Sequence, residues 1–467
     1  MPPYVRRGGR GVSTRLLRDD HIAESLTLPA LEVTAYSAHP LTEKDDHVST
    51  LDDLAADLDR RLAGADRQLA ELYPGDRGVR QPVHTVYIPA DTFTADLAKD
   101  WGRRAGALLA EHGGTPDLLA EAIGADPAEV EAVYDRVAAK LEREPIEDLR
   151  IDFEDGYGPR PDDEEDAAAM TAARTLQQAV AAGTAPPFIG IRFKNFERPT
   201  RRRGLRTLDL FIGELARSGG LPDGFVVTLP KVTSIDQVEA MMVVCAELER
   251  THGLSDGALK FEIQVETPQA ILGPDGRALI APMIHTAAPR CTGLHYGTYD
   301  YSASCGIAAQ YQSMEHPAAD HAKAVMQVAA AGTGVHVSDG STNVLPVGDR
   351  EAVHAAWRLH ARLVRRSLER GIYQGWDMHF GQLPTRYTAV FLFYLHGLPS
   401  AVARLRAYVE RTDSGYLDEP ATAVALAGFI VRAIECGAVD QARISSDTGL
   451  DRGQLDVLAR RAKAVAN

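Results

Sequence analysis

At 467 residues, with 45% hydrophobic and 25% charged side chains, the chain is long enough for two or three domains, or for one barrel with additions, and its composition is globular. A formal net charge of −15 argues against nucleic acid or an anionic membrane as the main partner, though a local basic site for anionic metabolites remains compatible with it. The four cysteines (Cys245, Cys291, Cys305, Cys436) show no paired spacing, as in a reducing compartment, and no apolar run reaches the roughly 18 residues of a membrane span, so a cytoplasmic protein is expected.

Met1 to Asp20 carries Arg6, Arg7, Arg10, Arg15 and Arg18 without the apolar stretch of a secretory signal, and reads as a basic tail. Leu51, Leu54, Leu58, Leu62, Leu69 and Leu72 then recur at helical spacing, with Thr50 placed as N-cap and Asp52 and Asp53 in the first turn. Residues 1–80 are thus an N-terminal extension, partly disordered and then helical. His84 to Pro89 is a first strand. Residues 91–147 are helix-rich, broken at Gly113-Gly114 and Asp126-Pro127, and too long for one crossover, so they are expected to be a helical insertion. Leu149 to Phe153 is a second strand, and the acidic run Asp162 to Asp166 opens the next helix.

A third strand runs from Phe188 to Phe193 and a fourth from Gly224 to Leu229. Ser234 with Gln237 is expected to form a capping box for the following helix. Phe261 to Val265 and Cys291 to Tyr296 are the fifth and sixth strands; Val335 to Val337 and Gly375 to His379 supply the seventh and eighth. Eight short strands alternating with helices predict an α/β fold, a (β/α)₈ TIM barrel over residues 81–384, with residues 385–467 as a C-terminal helical cap.

Two strands end in an acid. Glu266 follows the fifth and Asp300 the sixth, about one strand–helix–strand unit apart. Carboxylates at the C-terminal ends of neighbouring parallel strands make a hard-oxygen cradle for Mg²⁺ or Mn²⁺. The same barrel mouth would receive Asp155, Arg192, Lys231 and His379.

These stretches resemble, in order, the motifs of the citrate lyase β-subunit-like and class II pyruvate aldolase superfamily of phosphoenolpyruvate/pyruvate-type TIM barrels. Ile151-Asp152-Phe153-Glu154-Asp155-Gly156, Ala173-Arg174, Ile191-Arg192-Phe193-Lys194-Asn195, Leu229-Pro230-Lys231-Val232, Glu266-Thr267, Tyr296 to Tyr301 and Gly375 to Gln382 carry the likeness. Trp376 and Phe380 depart from it, standing where the family usually has lysine and proline. The resemblance implies a Mg²⁺-dependent carbon–carbon lyase or aldolase acting on a 2-oxo acid or hydroxy acid through a metal-stabilised enolate. Glu266 and Asp300 would be the metal ligands. Arg192 would hold the substrate carboxylate, Asp155 would bind metal-held water or orient Arg192, and His379 would contact substrate. It also implies a homo-oligomer whose C-terminal segment, with Asp413, Asp418, Glu419 and Asp440, closes a barrel mouth, its own or a partner's.

Plainer roles stand beside these. Arg192 could pair internally with Asp155 or Glu154, Asp155 could cap a helix, Lys231 is expected in a salt bridge, and His295 reads as a satisfied core histidine. The run Arg201-Arg202-Arg203 reads as a solvated loop rather than a groove for a CoA thioester. The functional alternatives are a malate-synthase-like condensation, an acyl-CoA lyase or hydrolase, or a barrel without catalysis that serves as a binding protein.

Overall fold

In the computed structural model, residues 50–412, 415 and 418–460 are described. The basic tail and Asp413 lie outside them. The chain divides into two compact units, residues 1–62 and 63–467. Helix α1 (Leu51–Leu72) has the amphipathic pattern predicted, and none of its residues is buried. Thr50 and Asp53 cap it reciprocally: the Asp53 N–H donates to Thr50 Oγ1 and the Thr50 N–H to Asp53 Oδ2.

The second unit is built on eight strands, β1 (His84–Pro89), β2 (Asp148–Asp152), β3 (Phe188–Arg192), β4 (Phe225–Leu229), β5 (Lys260–Val265), β6 (Cys291–Tyr296), β7 (His336–Ser338) and β8 (Gly375–Asp377). They are parallel and ordered β7-β6-β5-β4-β3-β2-β1-β8. A bridge between Ser338 and Gln374 closes the ring, helped by the Asp339 N–H to Gln374 O and the Trp376 N–H to Gly340 O. This is a (β/α)₈ barrel, as the sequence predicts.

The insertion after β1 holds α2 (Leu97–Gly113), α3 (Pro116–Ile123) and α4 (Pro127–Arg143), with Thr115 and Asp126 as side-chain caps and proline at the following position of each helix. Helices α5 (Asp162–Ala181), α6 (Arg201–Ser218) and α7 (Ile235–His252) follow β2, β3 and β4. The Ser234 capping box does not form: Ser234 makes no side-chain cap, and Gln237 instead accepts from the Thr233 N–H at 2.7 Å. Short helices α8 (Pro268–Ile271), α9 (Ile280–Thr286) and α10 (Thr298–Ser304) flank β6, and α11 (Pro317–Ala330) and α12 (Arg350–Glu369) flank β7.

The tail forms α13 (Leu383–Glu410), α14 (Pro420–Glu435), α15 (Gln441–Thr448) and α16 (Arg452–Leu458). Residues Phe380–Glu410 are long and apolar enough to cross a membrane by length and composition. Half of that window is buried, because α13 packs on α4, α12 and α14 as the barrel's eighth outer helix. Further along, the described contacts of the tail lie away from its own barrel mouth. Arg136 of α4 binds Gly437 O and Asp440, and α14 lies at the strand N-terminal end beside Val79, Gln81 and His336. Of the tail acids proposed to serve a site, Asp440 is held by Arg136 and Asp418 by Arg404.

Strand alternation divides the barrel into two chemistries. Outward residues such as Val86, Ile151, Ile191, Val227, Ile263 and Leu294 are buried against the helices, each gaining about 1.5–3 kcal/mol from leaving water. Inward residues are polar: Thr85, Asp148, Arg150, Thr228, Glu262, Gln264 and His295. Parallel strands usually read as continuous apolar runs. A polar interior is why these alternate.

Candidate active site

The C-terminal ends of β2 to β6 bring together Glu154, Asp155, Arg192, Lys231, Glu266 and Asp300. Glu266 ends β5 with its carboxylate fully engaged: Oε1 accepts the Lys231 backbone N–H at 2.8 Å and Oε2 accepts Gln264 Nε2 at 2.8 Å. It is 1% exposed, and a side chain at Gly297 would run into it. That glycine precedes α10, whose first turn carries Asp300. Burial pushes the Glu266 carboxyl well above the ordinary range. Arg192 and Lys231 pull it back, while the charges of Asp300 and Glu154 add to the rise.

Lys231 has φ of 52°, a left-handed conformation that costs an L-residue about 1 kcal/mol or more. The turn aims its Nζ at Asp155 (2.8 Å), Glu154 (3.2 Å) and Asp300 (3.8 Å). A salt bridge thus exists, in the partly exposed mouth and not in the barrel interior where it was expected. Asp155 is half-exposed; burial would raise its pKa, but the Lys231 hydrogen bond prevails and lowers it. Glu154 is nearly buried and shifted upward, by burial first and by Asp155 next, against the pull of Arg192 and Lys231.

Arg192 is 3% exposed, and its Nε–Nη2 fork is closed on Asp152 at 2.7 and 2.6 Å. Strand register explains the pair, since Asp152 and Arg192 are direct neighbours on β2 and β3. Of the two partners expected, Glu154 is a secondary one, its Oε2 3.8 Å from Arg192 Nη1, while the main partner is Asp152. What remains is the Nη1 side, which faces Gln264 Oε1 at 3.4 Å. The guanidinium also lies 4.6 Å from the Tyr87 ring centroid and 5.8 Å from that of Trp376.

His379 joins this group through no recorded contact. Its Nδ1 accepts the Gly381 N–H as the cap of a short turn, and burial together with nearby Arg104 lowers its pKa. His295 is a satisfied interior histidine, 2.9 Å from Glu262. His84 is held by Asp377 and by the Glu147 N–H between sheet and helices. Residues missed by sequence reading are Asp152, Glu154 as a distinct buried acid, and Gln264.

Among the described residues no group of three or more His, Cys, Asp or Glu side chains forms a ready metal cage. Mg²⁺ needs less, because it keeps most of its water and takes one or two carboxylates. The donor set fits it: Glu266 is a buried acid without an ion-pair partner, and the Lys231 ammonium already holds a cation's place beside Asp300 and Glu154. A cavity of about 520 Å³ lies elsewhere, at the strand N-terminal end between Arg80, Lys140, Glu144 and the end of α14.

Fold and site together define a (β/α)₈ barrel whose strongly acidic mouth is only partly offset by Arg192 and Lys231. The chain belongs to the family described as a domain of unknown function, DUF6986, whose model matches residues 62–463. No curated protein sequence matches it. Among solved structures it is similar to a citrate lyase from Burkholderia xenovorans LB400, at 16% identity over 81% of this chain and 97% of the other, with a TM-score of 0.49. It is also similar to Haloferax volcanii malate synthase (16% identity, 84% and 100% of the two chains, TM-score 0.46). A third is an HpcH/HpaI aldolase/citrate lyase family protein from Burkholderia cenocepacia J2315 (15%, 73% and 99%, 0.35). Similarity this distant does not reach to substrate or mechanism.

Proposed function

We propose that the protein is a Mg²⁺-dependent carbon–carbon lyase of the aldolase type, acting on a small 2-oxo or hydroxy carboxylic acid. The observation that carries this reading is the Glu266 environment: a buried carboxylate at a strand end, short of positive charge, with Asp300 and Glu154 beside it. A scaffold protein has no use for an uncompensated buried acid, because burying it costs several kcal/mol. A binding site for a cation recovers that cost.

Glu266 and Asp300 would hold the ion, with Glu154 near enough to bind its water. When bound, the ion would supply Lewis acidity for charge developing on a carbonyl oxygen. The chain's own groups do the rest. Gln264 and the Lys231 N–H fix both Glu266 oxygens, so the ligand cannot rotate. Asp152 pins Arg192 and leaves its Nη1 side toward the mouth, where it can donate to one oxygen of a substrate carboxylate. Lys231 offsets Asp155 and Glu154 and would move aside, or share them, as a divalent ion enters.

The test is to incubate the protein with 4-hydroxy-2-oxo acids and Mg²⁺ and to measure pyruvate release. Release that stops with EDTA and returns with Mg²⁺ is expected. No release from any such acid, at any Mg²⁺ concentration, would remove the reading.

A further inference from the structure

The two sides of the mouth differ. From β3 round to β6 it is charged, whereas on β1 and β8 it is aromatic. Tyr87 and Trp376 are only partly buried, with ring centroids 4.5 Å apart, and Met378 just beyond them is 39% exposed. Tyr87 Oη and Trp376 Nε1 are themselves buried and have no hydrogen-bond partner. Buried polar atoms in folded proteins are nearly always paired, so two orphans on one wall of a candidate site mark a place where an acceptor belongs.

Apart from the Nη1 side of Arg192, which serves the first carboxylate, the cations near this wall are committed. Arg150 of β2 is bound to Asp148 and Glu262, the Arg192 fork to Asp152, and Arg386 after β8 to Asp377. A second carboxylate on a substrate would lie there desolvated and unpaired, which is strongly unfavourable. A flat, uncharged group would stack on the rings instead.

We infer that Tyr87 and Trp376 select the non-reacting end of the substrate, and that this end is an uncharged aryl group bearing a hydroxyl, ether or carbonyl oxygen. The inference rests on the lyase reading above and gives it a substrate class, 4-aryl-4-hydroxy-2-oxobutanoates. In the cleavage the C3–C4 bond breaks and its electron pair stays on C3 as the enolate. The C4 hydroxyl loses its proton to a base and becomes the aryl aldehyde. C3 then takes up a proton to give pyruvate. The Trp376 N–H donates to the oxygen on the ring and takes no part in bond breaking.

The experiment compares pyruvate release from 4-hydroxy-2-oxo acids that end in 4-hydroxyphenyl, phenyl or a carboxylate. Preference for the 4-hydroxyphenyl substrate over the carboxylate one by at least about tenfold in kcat/KM is expected. Trp376→Phe keeps a ring and removes the donor, so it should raise KM for the 4-hydroxyphenyl substrate severalfold more than for the phenyl substrate, with a smaller change in kcat. Trp376→Arg should turn the preference toward the carboxylate tail. Equal use of aryl and carboxylate tails, or a Trp376→Phe enzyme identical to wild type, would overturn the inference while leaving the lyase reading standing; in the second case the orphans hold only water. If no 2-oxo acid is cleaved, the lyase reading fails instead. Calorimetric titration with 4-hydroxybenzaldehyde then decides: no heat, or the same affinity in Trp376→Phe, overturns the aryl wall as well.

Discussion

The two ends of the barrel are built from the same residue types with opposite results. At the strand N-terminal end, buried acids are matched by cations: Glu147 meets Lys140 and Arg80, and Glu144 meets the same two. Burial alone would raise the Glu144 pKa, but the Arg80 hydrogen bond and the charges of Lys140 and Arg80 bring it down to about 2. Outside β8, Asp377 collects His84, His360 and Arg386, and its carboxyl falls well below the usual range. At the mouth Glu266 and Glu154 are shifted the other way. Carboxylates with lowered pKa values hold a fold together. Those with raised values are held in place by it, at a cost that a ligand can relieve.

The largest contrast should come from paired substitutions at the mouth and in the charge-matched wall outside β8. Glu266→Gln should lower kcat/KM by about a hundred- to thousandfold or more, while Tm holds or rises because an uncompensated buried charge is gone. Asp377→Asn should do the reverse, costing about 3–5 kcal/mol of stability in urea unfolding and leaving kcat per folded molecule near wild type. If Asp377→Asn inactivates a folded protein, the division between charge-matched and mouth acids is wrong.

Arg192 tests the boundary between them, since it is both buried pair and candidate donor. Arg192→Lys keeps the charge and loses the fork on Asp152. A drop in kcat/KM of about ten- to a thousandfold is expected, with a loss of roughly 1–3 kcal/mol in stability and little change in Mn²⁺ affinity. Asp152→Asn should reproduce the activity loss more weakly, because Arg192 is then merely misplaced.

The smallest effect is in pH dependence. Glu144 has a folded pKa below its unfolded value, so its stabilisation is present above about pH 4.5 and disappears as pH falls through about 2. Glu144→Gln should flatten that acid limb, removing about 1–3 kcal/mol at pH 7 once partial exposure is allowed for. For Glu266 and Glu154 the sign reverses. Their folded pKa values are raised, so stability should decline as pH rises above the unfolded value, and a bound divalent ion should cancel the decline.

Much of this was legible in the sequence, for a physical reason. Strands such as Leu149 to Phe153 alternate because one face meets helices and the other a polar interior, whereas β4 (Phe225-Val226-Val227) and β8, with Trp376 inward and Asp377 outward, break the pattern. Glu266 and Asp300 could be found because a proline and a glycine end the strands beside them. The Arg192 partner could not. Asp152 and Asp155 are equally acidic in the sequence, and only the β2–β3 register places Asp152 opposite the guanidinium. Gln264 was hidden in the same way, as one polar residue on an alternating strand whose contacts come from its neighbours. Whether the tail serves its own mouth or a partner's was not legible, because amphipathic helices show which face is buried, not which end of a barrel they bury it against.

The most direct measurement is Mn²⁺ binding, followed by electron paramagnetic resonance, to wild-type protein and to Glu266→Gln at pH 7 and pH 5. One saturable site per chain is expected in the wild type, weaker at pH 5 because protons compete with the ion for the upward-shifted Glu266 carboxyl, and lost in Glu266→Gln. Equal Mn²⁺ binding by both proteins, or none by the wild type at millimolar Mn²⁺, would contradict a cation site at the mouth.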